Sequence, residues 1–135
     1  MSLIRWNESL SVNVAEIDRQ HRKLVSLINE LDEAMKQGKG KAVLGKTVDS
    51  LVQYAVTHFR TEERYFDRFG YPDTDGHKKE HAAFVRKASE IKDKFEQNRN
   101  FLSIEVMNFL INWLQNHIMK SDKQYSQFFN DKGLR

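Results

Sequence analysis

The chain has 135 residues, with 22 Lys and Arg against 19 Asp and Glu, a formal charge of +3 and no cysteine. That length suits a single domain, 1–135, around one core, and the missing cysteine excludes disulfides, thiolate metal sites and a cysteine nucleophile. A hydrophobic fraction of 39% without a long apolar run excludes a membrane span, and the opening MSLIRWNESL lacks the apolar stretch of a secretion signal, so a cytoplasmic address is expected.

One Pro and six Gly point to a chain that is mostly helix. The first dozen residues, through Leu10, Ser11 and Val12, show no helical period and read as an extended arm, with Trp6 placed to cover one end of the core. Asn13 followed by Glu16 has the form of a capping box, and a first helix then runs to the Gly38 and Gly40 turn. Around that turn lie Lys36, Lys39, Lys41 and Lys46, the one basic cluster free of acids; elsewhere the charges alternate in sign, so no nucleic-acid partner is expected. A second helix runs from about Ala42 to Phe69, with Gly70 as its stop and Pro72 shortly after. Asp73 or Asp75 caps a third, which fades at Gln97 to Asn100. The fourth covers Leu102 to Lys120, and a short tail piece covers Asp122 to Asn130. The fold class that follows is all-α: an up-down-up-down antiparallel four-helix bundle with an N-terminal arm and a C-terminal helical tail.

Steps of three and four residues give each helix a buried stripe. The first carries Ile17, His21, Leu24, Ile28, Leu31 and Met35. The second carries Leu44, Val48, Leu51, Ala55, His58, Glu62 and Phe69, with Phe59 and Phe66 beside the line. The third carries His77, His81, Phe84, Ala88, Ile91 and Phe95, and the fourth Val106, Leu110, Trp113 and His117, with Leu114 alongside. All five histidines therefore fall on inward faces. A buried imidazole without a partner costs on the order of 1 to 3 kcal/mol, and an unpaired buried carboxylate costs more. Several such costs would cancel a domain stability of about 5 to 15 kcal/mol. A metal is the partner that takes neutral imidazole and carboxylate together.

The histidines also share a level. His21 opens an ascending helix and His58 and Glu62 lie late in the descending one, while His77 and His81 open the third helix and His117 closes the fourth. Asp122 follows His117 by five residues, which in a regular α-helix turns it roughly 140° away. If Asp122 is a ligand, the fourth helix must loosen or bulge between them. Seven candidates exceed one tetrahedral zinc site. Five imidazoles, two bridging carboxylates and one shared solvent oxygen would fill all but one position of two six-coordinate ions, and such nitrogen and oxygen donors suit iron or manganese. An open position beside a second redox metal suits O₂.

These spacings resemble the hemerythrin family: His21, His58-x-x-x-Glu62, His77-x-x-x-His81 and the His117 to Asp122 interval match its ligand pattern. Ile17-Asp18-x-Gln20-His21 and Trp113-Leu114-x-x-His117-Ile118 are similar to its flanking signatures, and the single-domain bacterial members are the most alike. The resemblance implies two iron ions (Fe2+/Fe3+) bridged by an oxo or hydroxo group, Glu62 and Asp122. His77, His81 and His117 would hold one iron. His21 and His58 would hold the other, which keeps the vacancy where O₂ binds as hydroperoxide. Phe59, Trp113, Leu114 and Ile118 would line that vacancy, apolar and without a general acid, so that escape of peroxide is disfavoured. The function implied is reversible O₂ binding by an oxygen carrier or store, not an enzyme; the alternatives are a di-iron redox enzyme (peroxidase, ferroxidase or NO-reducing), for which Tyr54 is the first residue to inspect, and an O₂ or redox sensor. A monomer is expected, with a downstream O₂-consuming enzyme as its implied partner.

Overall fold

The computed structural model describes residues 4–96 and 103–135. Its elements are a one-turn 3₁₀ helix at Glu8–Leu10, α1 (Ala15–Lys36), α2 (Gly40–Phe69), α3 (Thr74–Glu96), α4 (Ser103–Trp113), a π-helix (Leu114–Asp122) and α5 (Lys123–Asp131). α1 packs against α2 and α4, and α2 against α3, in the expected four-helix bundle. The expected fading of the third helix at Gln97 to Asn100, and Leu102 as the start of the fourth, lie outside the described residues.

The ends of the helices follow from local chemistry. Gly38 takes a left-handed φ of 72°, and beyond it the Lys39 N–H reaches back to the Ala34 carbonyl at 2.7 Å, closing α1 with the glycine that this geometry favours. Gly70 stops α2 in the same way, at φ 68°. The Asp73 carbonyl accepts the first helical bond of α3 from His77 N–H at 3.0 Å. A Cβ on Gly76 would meet Asp73 Oδ1 at 2.5 Å, so the glycine leaves room for the aspartate over the first turn.

At the start of α1 the capping box is corrected. Asn13 sits at φ 56°, a left-handed conformation that asparagine tolerates better than most residues, and Val14 holds the N-cap position without a side-chain bond. Asp18 takes over: its carboxylate accepts from Ser11 Oγ at 2.6 Å and from Val12 N–H at 2.8 Å. Glu16 accepts the Tyr65 hydroxyl from α2. The arm is also less extended than its sequence suggests, because Asn7 caps the 3₁₀ turn by accepting from Ser9 N–H. It is pinned to α1 by paired bonds between Ile4 and Asn29, at 2.9 and 2.8 Å, and Arg22 lies 4.8 Å over the Trp6 ring.

The apolar stripes form two clusters rather than one. The larger gathers Leu24, Ile28, Leu31, Leu51, Phe59, Phe84, Leu110, Trp113, Leu114 and Ile118 among others. The smaller gathers Val12, Val14, Ile17, Phe66, Tyr71, Tyr125 and Phe129, so α5 closes this end of the bundle. Where the chain crosses from one cluster to the other it does so at a polar residue: His21 between Ile17 and Leu24 on α1, Glu62 between Phe59 and Phe66 on α2, and Asp122 between Ile118 of the π-helix and Tyr125 of α5.

Candidate metal centre

At that crossing level the structure brings together all seven residues that the sequence singles out. His21, His58, Glu62 and Asp122 are fully buried, and His77, His81 and His117 are at most 2% exposed. Asp122 arrives through the π-helix. The wider π turn absorbs the five-residue interval from His117 and returns the carboxylate to the histidine face, as ligation would require.

Both carboxylates are shared. Asp122 Oδ1 lies 2.7 Å from His77 Nε2 and 2.9 Å from His117 Nε2, while its Oδ2 lies 2.9 Å from His21 Nε2 and 3.9 Å from His58 Nε2. Glu62 Oε1 lies 2.8 Å from His58 Nε2 and 3.1 Å from His81 Nε2, and its Oε2 is 3.6 Å from His77 Nε2. The ligand-capable atoms fall into two sets, one of Glu62, His77, His81 and His117, the other of His21, His58, Glu62 and Asp122, each within 4.8 Å of one another.

His21 Nε2 and His58 Nε2 pair with each other at 3.1 Å; the other facing atoms are close without being hydrogen-bonded. All four carboxylate oxygens, and Nε2 of His77, His81 and His117, are buried with no hydrogen-bond partner. Short separations without hydrogen-bond alignment mean that the lone pairs aim at common points between the groups. A metal with bonds of roughly 2.1 Å sets neighbouring ligand atoms about 3 Å apart and opposite ones about 4.2 Å apart, the range found here, so the donor set fits metal ions.

Metal-free, the site is electrostatically tense. Burial opposes charge on His58 and His77, but Glu62 and Asp122 outweigh it and push their pKa values up to about 9 and about 10. His117 is raised for the same reason, whereas burial wins at His21 and lowers it. The imidazoles in turn hold Glu62 and Asp122 well below the usual carboxylate range, against burial and, for Glu62, repulsion from Asp122.

Residues 12–129 match the family model described as the hemerythrin HHE cation binding domain. The chain belongs to the hemerythrin family. It is 32% identical to the bacteriohemerythrin of Methylococcus capsulatus over 93% of this chain and 95% of that one. To the bacteriohemerythrin of Pseudomonas aeruginosa it is 34% identical, over 93% and 80% respectively. A wild-type hemerythrin crystal structure superposes with a TM-score of 0.84 at 31% identity, covering 93% of this chain and 97% of that one.

Within this hemerythrin fold the imidazoles are backed by aromatic rings. Phe59 stacks on His81 and Trp113 on His117, each with centroids 3.9 Å apart, and Tyr54 stacks on His58 at 5.2 Å. Phe66 meets His77 edge-on at 4.8 Å. Leu114 and Ile118 are buried in the same cluster as Phe59 and Trp113. Leu114 also floors a surface groove of about 350 Å³ beside Ile4, Leu10, Ile111 and Met119. The Tyr54 hydroxyl is buried without a hydrogen bond, and burial raises its pKa well above the ordinary phenol value.

Three further residues face the outer nitrogens of these histidines; Gln20 appeared in the sequence only as part of a flanking signature, and Glu63 and Glu80 were not singled out from it. Gln20 Oε1 lies 2.8 Å from His58 Nδ1, Glu63 Oε2 lies 2.9 Å from His81 Nδ1, and Glu80 Oε1 lies 3.4 Å from His117 Nδ1. Each sits next in sequence to a candidate ligand, yet serves a histidine on another element. A polar residue flanking a ligand at the edge of the buried stripe is the signal that could have found them.

Proposed function

We propose that this protein is a reversible O₂ carrier or store built on a di-iron centre, and not an enzyme. The observation that carries the reading is the unequal division of the imidazoles, three in one ligand set and two in the other. His77, His81 and His117 would hold one iron and His21 and His58 the second. Glu62 and Asp122 would span both, since each presents oxygen to histidines of both sets. Iron so held would supply one electron from each ion, two in all, which suits O₂ as a ligand.

The chain's own part is to shape and dry the position that lacks a third imidazole. Phe59, Trp113, Leu114 and Ile118 are buried and offer no carboxylate or amine to deliver a proton. Gln20, by accepting from His58 Nδ1, fixes the ring with Nε2 turned inward. The two carboxylates stay ionised at neutral pH, ready to neutralise cations.

One observation favours the second reading, a redox enzyme on the same centre: Tyr54 places a buried, unbonded phenol against His58. A hydroxyl in that place can offer a hydrogen bond where a carrier wants none, although burial holds its proton tightly. Optical titration of the anaerobic, iron-loaded protein with O₂ separates the two. One O₂ taken up per chain and recovered on purging supports the carrier. Steady consumption of O₂ or peroxide with a reductant present would make it an enzyme. No described helix is long and apolar enough to cross a membrane; a monomer handing O₂ to a consuming enzyme completes the proposal.

A further inference from the structure

We propose that Glu63 and Glu80 are positioning residues that rank the two metal positions, so that the three-histidine position takes a divalent ion first and holds it more tightly. The inference rests on the two-metal reading above and concerns the outer nitrogens of the histidines. His81 Nδ1 faces the Glu63 carboxylate at 2.9 Å. His117 Nδ1 faces Glu80 at 3.4 Å, and the Ser121 hydroxyl, donating at 2.8 Å, holds that same carboxylate oxygen in place across from α3 to the π-helix. Both anionic partners therefore belong to the three-histidine set.

The other set is treated differently. His58 Nδ1 meets the neutral amide oxygen of Gln20, which is anchored by its own amide donating to Thr61 Oγ1 at 2.9 Å. Thr61 is tied in turn to the Thr57 carbonyl. The buried His21 Nδ1 has neither a hydrogen-bond partner nor a carboxylate facing it, whereas His117 Nδ1, also outside hydrogen-bond geometry, does face the Glu80 carboxylate.

An imidazole whose Nδ1–H is held by a carboxylate pushes electron density toward Nε2 and becomes a stronger donor; a neutral acceptor does this less, and no acceptor least. The fold thus grades the donors along the site, from carboxylate-backed at one end to unsupported at the other. Outer partners of this type are worth about 10-fold to 100-fold in metal affinity. Glu63 and Glu80 are 35% and 40% exposed, so solvent screens them and the low end of that range applies.

The test uses the metal-free full chain titrated anaerobically with Co²⁺, with stepwise affinities from chelator competition and the visible absorption reporting coordination at each step. Wild type should take two ions, the first distinctly tighter. Glu63→Gln keeps shape and acceptor but removes charge, and should weaken the first ion about 10-fold while leaving the second within about twofold. Glu80→Gln should act in the same direction, less strongly at its longer contact. Gln20→Glu should do the reverse and tighten the second ion, a gain that a purely structural role does not produce. Two ions of equal affinity overturn the ranking alone, as does equal weakening of both ions by Glu63→Gln accompanied by a lower melting temperature. Binding of fewer than two Co²⁺ by wild type overturns the two-metal reading, and the ranking with it.

Discussion

Replacing Phe129 with alanine tests whether the C-terminal helix holds the metal centre or only the fold. Phe129 is fully buried and packs 4.8 Å from Tyr125 and 5.8 Å from Phe66. Both of those rings lean on His77, at 5.5 and 4.8 Å. The same helix is stitched to the arm by Ser126 Oγ donating to the Val12 carbonyl at 2.7 Å and by Asn130 donating to the Asn13 carbonyl at 3.0 Å. Phe129→Ala should cost about 3 to 5 kcal/mol, which for a domain of this size lowers the melting temperature by roughly 10 to 20 °C. Leu31→Ala is the control. Leu31 is equally buried in the other cluster, costs about 2 to 5 kcal/mol, and lies ten residues, about 15 Å, along α1 from His21. Calorimetry of the metal-free variants should show comparable losses. Chelator competition should show Phe129→Ala weakening metal about tenfold, because Phe66 and Tyr125, the two rings that lean on His77, lose their support, with Leu31→Ala near wild type. If both variants weaken metal equally, or Phe129→Ala leaves affinity untouched while lowering the melting temperature, the proposed coupling is wrong.

Further outcomes follow from the same geometry. In the metal-free protein the raised pKa values of His58 and His77 give stability that is complete below about pH 6.5 and is lost as pH climbs through about 9 to 10. The lowered carboxyls of Glu62 and Asp122 give stability present above their ordinary range and lost as pH falls through their depressed values. Melting temperatures across pH should therefore decline on both flanks, and metal loading near pH 7 should release protons, measurable by calorimetry in buffers of different ionisation enthalpy. Leu114→Asp puts an acid into the apolar cluster beside Trp113 and should speed conversion to the ferric form in stopped-flow traces; an unchanged rate would remove Leu114 from the protective wall. Tyr54→Phe deletes an unbonded buried hydroxyl, so stability should hold or rise slightly. If the hydroxyl assists oxidation by offering a hydrogen bond, autoxidation should slow in that variant.

Much of the centre was legible because burying polar residues is costly and therefore informative. Histidine and glutamate at stripe positions broke the apolar pattern of each helix at one level, and the five-residue step from His117 to Asp122 required a loosened helix, which is present as Leu114–Asp122. Two kinds of feature were hidden. Asn13 has the composition of a cap but uses its tolerance of positive φ instead, a choice made by the Ser11 and Asp18 contacts around it. Gln20, Glu63 and Glu80 reach across helix interfaces, so neither helical period nor spacing along one element marks them, and only packing shows which histidine each one serves.

The division of the stripes into two clusters was likewise invisible in one dimension. Ile17 and Leu24 belong to one stripe on α1, yet they pack into different clusters. The polar level between them separates the core, and the stability of the metal-loaded protein should depend on what fills that level.

Iron content per chain, measured together with the visible spectrum under air, after degassing and on return to air, tests the central claim most directly. The account predicts two irons per chain and a colour that fades on degassing and returns with oxygen. A chain that binds only zinc, or a spectrum that bleaches once and does not return, would contradict it.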